Sequence, residues 1–197
     1  MREIFFEVAK RFQDILFSLI LAVITIVLFP FIALAIKIES PGPIFFRQKR
    51  VGKDGRVFEL LKFRSTWRTS VDESVGWGKE GDHVYTRVGR FLRKSYVDEL
   101  PQILNVFRGE MSIIGPRPER PEFVEILKKQ LPLYETRLLV RPGFTGWAQI
   151  NMENDAAAED APEKLQYDLY YIKYRSLLLD LKIALKTIAI ISRRTGR

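Results

Sequence analysis

Two adjacent carboxylates, Asp98 and Glu99, lie in a stretch of sequence that is rich in basic residues. Arg93 and Lys94 precede the pair, and Arg117 follows it between two prolines. Carboxylate oxygens bind hard cations such as Mg2+, and guanidinium groups bind phosphate oxygens through two parallel hydrogen bonds. The combination therefore predicts metal-assisted chemistry on a phosphate ester.

Each of these signals also has a purely structural interpretation. An acid near the start of a helix often caps the helix or interacts with its dipole, so Asp98 and Glu99 alone do not establish a site. The basic segment 62–65 can protect an exposed strand edge or clamp a diphosphate. Arg117, in its rigid turn, can bind phosphate or belong to a stop before the next helix. Local sequence leaves both interpretations open.

The composition narrows the chemistry. The chain has 197 residues, enough for one domain with a core, and a net charge of +8 from 32 Lys and Arg against 24 Asp and Glu. This balance favours an anionic partner: nucleic acid, an acidic membrane surface or a phosphorylated substrate. The sequence has no cysteine and a single histidine, His83, which excludes thiol nucleophiles and disfavours a histidine-based triad. Catalysis must then depend on carboxylates, hydroxyls, Lys and Arg, and a cation that matches such oxygen ligands is a hard one, such as Mg2+.

A nearly uninterrupted apolar segment covers residues 15–36. It is long enough to cross a bilayer, which takes ~20 residues, and longer than the apolar region of a usual signal peptide. Basic residues flank both ends, and such residues prefer the cytoplasmic side of a membrane. Pro30 removes a backbone hydrogen bond and can kink the helix. A re-entrant helix satisfies both flanks, and a straight span with one translocated flank is the alternative.

The rest of the sequence alternates short strands, loops and helices. Aromatic and branched residues on both sides of the turn 52–55 predict a β-hairpin, with strands at 44–51 and 56–63. A glycine-rich polar segment predicts a mobile loop at 69–83, and a second loop is predicted at 141–147. Helices are predicted at 86–94, 98–107, 119–131, 162–174 and 176–193. The last is amphipathic, and it either packs on the core or lies in a bilayer interface.

Six motifs occur in a fixed order along the chain. They are SPGPIFFRQ at 40–48, KFRS at 62–65, TRVGRFLRK at 86–94, DELPQ at 98–102, SIIGPRP at 112–118 and RPGFTGWAQ at 141–149. Together they resemble the bacterial sugar transferase family, the monotopic phosphoglycosyl transferases, over residues 8 to 192. So many matches in order are far more specific than any one motif.

The resemblance implies an α/β fold: a mainly helical catalytic domain with a small β-hairpin or sheet, preceded by a proline-broken re-entrant membrane helix. Residues 1–38 would form the membrane helix, and residues 39–197 the catalytic domain with its C-terminal amphipathic helix. The active site would face the cytoplasm at the bacterial inner membrane. Segments 117–123 and 164–171 resemble members that initiate exopolysaccharide synthesis. Those members often carry further N-terminal membrane helices, whereas this chain resembles the minimal form of the family, with one membrane helix and the catalytic domain.

The implied reaction moves a sugar 1-phosphate from a UDP-sugar to polyprenyl (undecaprenyl) phosphate and releases UMP. By resemblance, Asp98 is the nucleophile and Glu99 is the main ligand of Mg2+, with Asp98 as a second ligand. The substrate phosphates would be bound by basic side chains, namely Lys62, Arg64, Arg87, Arg93, Arg117 and Arg141.

Two departures from the family pattern and two rival interpretations stand beside this expectation. The chain has Phe29 before Pro30 where the family often has serine, and Thr66 where methionine commonly follows the KFRS motif. One rival has polyprenyl phosphate attack directly, with Asp98 as a base. The other is a non-catalytic, membrane-anchored basic module. No nucleic-acid partner is expected, and the sugar and the oligomeric state stay open.

Overall fold

A computed structural model describes residues 2–67, 85–152 and 160–192. Its helices are α1 (Arg2–Glu39), α2 (Arg87–Lys94), α3 (Ile103–Phe107), α4 (Pro121–Gln130), α5 (Trp147–Asn151), α6 (Ala161–Tyr174) and α7 (Leu177–Ser192). Its strands are β1 (Phe45–Val51), β2 (Val57–Phe63), β3 (Ser112–Ile114) and β4 (Gly143–Thr145). The structure is therefore mainly helical with small sheets, as predicted. The predicted loop 69–83 and His83 lie outside the described residues.

The predicted β-hairpin is confirmed. Strands β1 and β2 pair antiparallel, with Phe45 opposite Phe63 and Val51 opposite Val57. The turn between them takes positive φ at Asp54 (56°) and Gly55 (75°), which suits an aspartate and a glycine. One consequence matters for the site: the pairing places the second strand, with the half-buried Lys62 near its end, against the segment that follows α2.

Four of the predicted helices are confirmed with nearly the same bounds by α2, α4, α6 and α7. The hydroxyl of Thr86 caps α2 by accepting a hydrogen bond from the Gly89 backbone N–H at 2.8 Å. The packing of α7 on the core is confirmed, and a position of its other side in a bilayer interface stays a prediction. Asp180 and Ile183 are fully buried, whereas Leu178, Leu185 and Ile188 on another side are exposed.

The prediction of a loop at 141–147 is wrong, because β4 forms there and α5 begins at Trp147. Strand β4 pairs in parallel with β3, with Ser112 opposite Gly143 and Ile114 opposite Thr145. A three-residue strand is too short to show a two-residue alternation. The pairing also requires a glycine, because a Cβ on Gly143 would lie 2.1 Å from the backbone nitrogen of Gly115.

Helix α1 extends the predicted apolar segment at both ends and continues through Pro30. Near its start, Lys10 pairs with Asp180 of α7 at 2.6 Å, and Asp14 accepts hydrogen bonds from Ser112 Oγ and the Ile113 backbone N–H. At its end, the carboxylate of Glu39 accepts the first two backbone N–H groups of α2, at 2.6 and 2.8 Å. Both ends of α1 therefore contact the same folded unit. The predicted break at Pro30 is not confirmed.

The side of α1 that faces away from this unit is apolar and exposed. Its exposed side chains include Ile4, Phe5, Val8, Phe12, Leu19, Ile20, Val23, Ile26, Val27, Phe31, Leu34 and Ile38. Among the described residues, α1 is the one helix whose length and composition would allow it to cross a membrane. An apolar surface of this extent marks contact with a membrane or another protein.

Candidate functional site

The two carboxylates lie on a 3₁₀ segment, Val97–Gln102, between α2 and α3. Tyr96 takes a left-handed conformation (φ 57°) and ends the turn after α2, so the predicted helix 98–107 begins as this tighter segment. Asp98 and Glu99 are each only 6 % exposed. Burying two adjacent acids is costly unless cations or hydrogen bonds compensate, so the surroundings of this pair are informative.

Glu99 is compensated by two basic side chains from different parts of the chain. Its Oε1 accepts hydrogen bonds from Lys62 Nζ on β2 and Arg117 Nη2 beyond β3, both at 2.7 Å. Burial alone would raise the pKa of Glu99, but the charges of Arg117 and Lys62 hold that pKa well below its usual range. Glu99 is therefore ionised at any physiological pH.

The pKa of Asp98 is shifted in the opposite direction. Burial, reinforced by the negative charge of Glu99 and opposed by the charge of Lys62, raises its pKa to about 6. Asp98 makes no ion pair with any of the described residues, whereas Glu99 makes two. Adjacent carboxylates whose pKa values are moved apart in this way are typical of catalytic sites, where one acid reacts and the other binds.

Three of the predicted phosphate-binding residues surround the pair. Lys62 and Arg117 contact Glu99 directly, and the charge of Arg93, at the end of α2, lowers the pKa of Asp98. The Arg93 guanidinium also lies 4.4 Å from the centre of the Tyr85 ring. The structure thus brings together three cations from three separate sequence motifs around one carboxylate pair.

The other three predicted phosphate ligands have contacts elsewhere, and their role in phosphate binding stays a prediction. Arg64 is buried and donates to the carbonyls of Ser40 and Pro41, just after α1. The side chain of Arg87 is exposed at the start of α2. Arg141 donates to the carbonyl of Gly109 at 3.1 Å and lies 3.5 Å from a carboxylate oxygen of Glu7.

Sequence reasoning missed a second buried charge network behind the Pro-Arg-Pro turn. Arg137 pairs with Asp168 at 2.7 Å, and Lys164 pairs with Glu119. A signal for it was present, since Lys164 and Asp168 lie one turn apart on the side of α6 that buries Leu165. Charged residues on the buried side of an amphipathic helix require buried partners.

The carboxylate pair fits a magnesium ion. Among the described residues, there is no group of three or more His, Cys, Asp or Glu side chains that could hold a metal alone. Mg2+ is commonly held by only one or two carboxylates, with substrate phosphates and water as the other ligands. Asp98 and Glu99 supply those oxygens, and a cation would offset the burial and the like charge that raise the pKa of Asp98.

Comparison with known proteins agrees with these motifs. A family model described as "Bacterial sugar transferase" matches residues 5–194. UDP-N-acetylgalactosamine-undecaprenyl-phosphate N-acetylgalactosaminephosphotransferase of Aeromonas hydrophila is 48% identical over 183 residues, which are 91% of this chain and 42% of that protein. UDP-glucose:undecaprenyl-phosphate glucose-1-phosphate transferase of Xanthomonas campestris pv. campestris is 44% identical, over 94% of this chain and 39% of that protein.

A shorter relative is matched over more of its length. UDP-glucose:undecaprenyl-phosphate glucose-1-phosphate transferase of Caulobacter vibrioides is 40% identical, over 92% of this chain and 69% of that protein. The chain spans about two fifths of the Aeromonas and Xanthomonas proteins. Since one family model covers nearly the whole chain, from the start of α1 to the end of α7, the chain belongs to the bacterial sugar transferase family.

Proposed function

We propose that this protein transfers a sugar 1-phosphate from a UDP-sugar to undecaprenyl phosphate and releases UMP. The observation that carries the proposal is the buried Asp98–Glu99 pair, with Lys62, Arg93 and Arg117 around it. The names of the relatives, which include donors and this acceptor, support it. The test is a screen of UDP-glucose and UDP-N-acetylgalactosamine for UMP release with undecaprenyl phosphate and Mg2+ present. Release with neither sugar, nor with a wider set of UDP-sugars, would refute the proposal.

In the first step, a carboxylate oxygen of Asp98 attacks the phosphorus that carries the sugar. The bond from that phosphorus to the bridging oxygen breaks, UMP leaves with the electron pair, and an acyl phosphate links Asp98 to the sugar. In the second step, an oxygen of undecaprenyl phosphate attacks the same phosphorus and regenerates the Asp98 carboxylate. Covalent capture lets a soluble donor and a lipid acceptor use one site in turn.

The division of roles follows from the two environments. With a pKa of about 6, Asp98 is ionised at neutral pH yet more basic than an ordinary carboxylate, and it makes no ion pair with a described residue. Both qualities favour a nucleophile. Glu99 is held ionised by Lys62 and Arg117, which suits a metal ligand. Mg2+ bound here would neutralise the donor diphosphate, and Lys62, Arg93 and Arg117 would bind its oxygens.

The proposed membrane arrangement places residues 1–38 in a re-entrant helix and residues 39–197 on the cytoplasmic face of the inner membrane. Support comes from α1, both of whose ends contact the same folded unit through Lys10 and Glu39. A straight span would separate its two ends by ~30 Å of hydrocarbon. The exposed apolar side of α1 would then lie in lipid, while its polar contacts remain with the protein.

This topology makes a prediction that is easy to test, because the chain has no cysteine of its own. Single cysteines at Glu3 and at Lys53 should both resist a membrane-impermeant thiol reagent in intact spheroplasts, since both positions would face the cytoplasm. The control is full labelling of both sites after permeabilisation. Labelling of the Glu3 site alone in intact spheroplasts would establish a true span and contradict the re-entrant arrangement.

A second prediction concerns pH. Asp98 attacks only when it is ionised, so the rate of UMP release should fall as the pH drops through its pKa, which burial raises to about 6 without metal and which bound Mg2+ would lower. Lys62→Met removes a charge that lowers that pKa, so the pKa should rise and the acid limb should move to higher pH. The measurement is kcat/KM between pH 5 and 8, with Lys129→Met, an exposed change on α4, as the control. An acid limb that moves to lower pH in Lys62→Met would contradict the assignment.

A further inference from the structure

The backbone of the Pro-Arg-Pro turn is held at four consecutive carbonyls. The Pro116 carbonyl accepts a hydrogen bond from Gly143 N, and the Arg117 carbonyl accepts one from Arg137 Nη2. The Pro118 carbonyl accepts one from Arg50 Nη1, and the Glu119 carbonyl accepts one from Val51 N. All four distances are 2.9 Å. The two prolines have no N–H to donate, so the turn cannot fix itself through its own amides. Its conformation therefore depends on donors from the surrounding structure. Two of those donors are arginine side chains.

Among these donors, Arg137 donates hydrogen bonds from three different atoms of its side chain. Its Nε donates to Asp168 Oδ2 at 2.7 Å, its Nη1 to the Tyr134 hydroxyl at 2.8 Å, and its Nη2 to the Arg117 carbonyl. The Arg137 and Asp168 side chains are only 6 and 1 % exposed. Burial would lower the pKa of Arg137, but the negative charge of Asp168 outweighs this effect and raises the pKa, so the guanidinium stays charged.

Helix α6 supplies the anchor for this arrangement. Asp168 holds Arg137, and one turn earlier Lys164 pairs with Glu119, the residue that follows the Pro-Arg-Pro turn. Both belong to the segment 164–171, which the proposed chemistry leaves without a role. Their ion pairs within the described structure are with Arg137 and Glu119, and not with the Asp98–Glu99 pair. The segment 164–171 is thus connected to the Pro-Arg-Pro turn through Arg137 and Glu119, on the side away from the carboxylate pair.

We propose that Arg137, paired with Asp168, is a positioning residue that fixes the backbone of Arg117 so that the Arg117 guanidinium meets Glu99 and the donor phosphate. This inference rests on the proposed function for its effect on turnover. Arg117 reaches Glu99 Oε1 at 2.7 Å from a backbone that Arg137 holds, so releasing the carbonyl would let the guanidinium drift. Misplacing a catalytic group by about 1 Å can cost up to about a hundredfold in rate.

The variant that isolates this role is Arg137→Lys. A lysine ammonium can keep the ion pair with Asp168. It lacks the planar guanidinium group that donates hydrogen bonds to Asp168, Tyr134 and the Arg117 carbonyl at the same time. We expect kcat for UMP release to fall about tenfold while KM for the UDP-sugar changes less. In an Arg117→Ala background the same change should have almost no further effect, because the group it positions is gone. Arg108→Lys, an exposed change, is the matched control.

If the Arg137–Asp168 pair serves only to stabilise the fold, a different result is expected. Arg137→Lys would then lower kcat by the same factor with or without Arg117, in proportion to a lowered melting temperature. That outcome would overturn the proposal. Unchanged kcat in Arg137→Lys would overturn it as well. A melting temperature close to that of the wild type, together with the lost additivity, would support it.

A measurement without turnover separates this inference from the proposed reaction. The 15Nε NMR signal of Arg117, assigned by its loss in Arg117→Lys, should report a held guanidinium in the substrate-free protein. In Arg137→Lys it should move toward the signal of free arginine, and in Arg108→Lys it should not move. An unchanged Arg117 signal would overturn the positioning role even if the enzyme is active. Absence of UMP release from the wild type would refute the reaction, while the NMR result would still decide the role of Arg137.

Discussion

Asp98→Asn is expected to abolish sugar-phosphate transfer, with a loss of at least about a thousandfold, or about 4 kcal/mol of activation free energy. Asparagine keeps the size of the side chain but has no anionic oxygen to form the acyl phosphate. Because Asp98 makes no ion pair with a described residue, the change should leave the Lys62–Glu99–Arg117 contacts in place. The measurement is UMP release from a UDP-sugar, with undecaprenyl phosphate and Mg2+ present.

The matched control for this substitution is Asp54→Asn. Asp54 is exposed in the hairpin turn with a φ of 56°, a conformation that asparagine accepts, so activity should stay close to that of the wild type. The melting temperature of Asp98→Asn should not fall, since the change removes a buried charge. Full activity in Asp98→Asn would contradict the role of Asp98 in both the two-step and the direct mechanism.

Arg117→Ala and Lys62→Ala should each lower kcat/KM by about ten- to a thousandfold, because each removes a positive charge that stabilises the reacting phosphate. The two side chains share the same oxygen of Glu99, so their effects should not be independent. The double variant should therefore lose less than the product of the two single losses. Steady-state kinetics of the three variants measure this directly.

Arg120→Ala is the control for Arg117→Ala. Arg120 lies three positions further on and pairs with Glu122, and an ion pair with one exposed partner contributes little. Its removal should leave activity nearly unchanged. Near-normal activity in Arg117→Ala and Lys62→Ala would instead place the phosphate site elsewhere in the protein.

Local signals explain what could be predicted from the sequence. The hairpin was recognisable because its turn residues and its aromatic strands agree with each other, and the pairing places Lys62 beside Glu99. The carboxylate pair stood out because basic residues lie close to it in the sequence. The structure brings Lys62 and Arg117 into contact with Glu99, and the charge of Arg93 acts on Asp98. Local sequence linked Arg93 and Arg117 to the pair, and the family resemblance added Lys62; their role in phosphate binding stays a prediction.

What the sequence did not reveal depends on contacts between distant segments. Arg137 and Asp168 are 31 positions apart, and neither belongs to a local motif with an obvious ligand. The apolar pattern itself begins after Asp14, and only the family resemblance extends the helix to residue 1. In the structure α1 starts near the N-terminus and buries Lys10 and Asp14 against α7 and β3. Charged residues look like the end of an apolar helix when their partners lie far away in the sequence.

Two rival interpretations make different predictions from the two-step reaction. If undecaprenyl phosphate attacked the donor directly, with Asp98 as a base, no UMP would form before the acceptor is added. A non-catalytic basic module would not need the Asp98–Glu99 pair, and its binding to nucleic acid should weaken steeply as salt is raised. The order of product release therefore distinguishes the mechanisms.

The most direct test of the central claim is to look for the covalent intermediate. The protein is incubated with Mg2+ and a sugar-labelled UDP-sugar that supports turnover, without undecaprenyl phosphate, then quenched and mapped by mass spectrometry. We expect a sugar phosphate on Asp98, released UMP in equal amount, and no adduct in Asp98→Asn. An active enzyme that releases UMP only when undecaprenyl phosphate is present, and that carries no adduct, would contradict the two-step reaction.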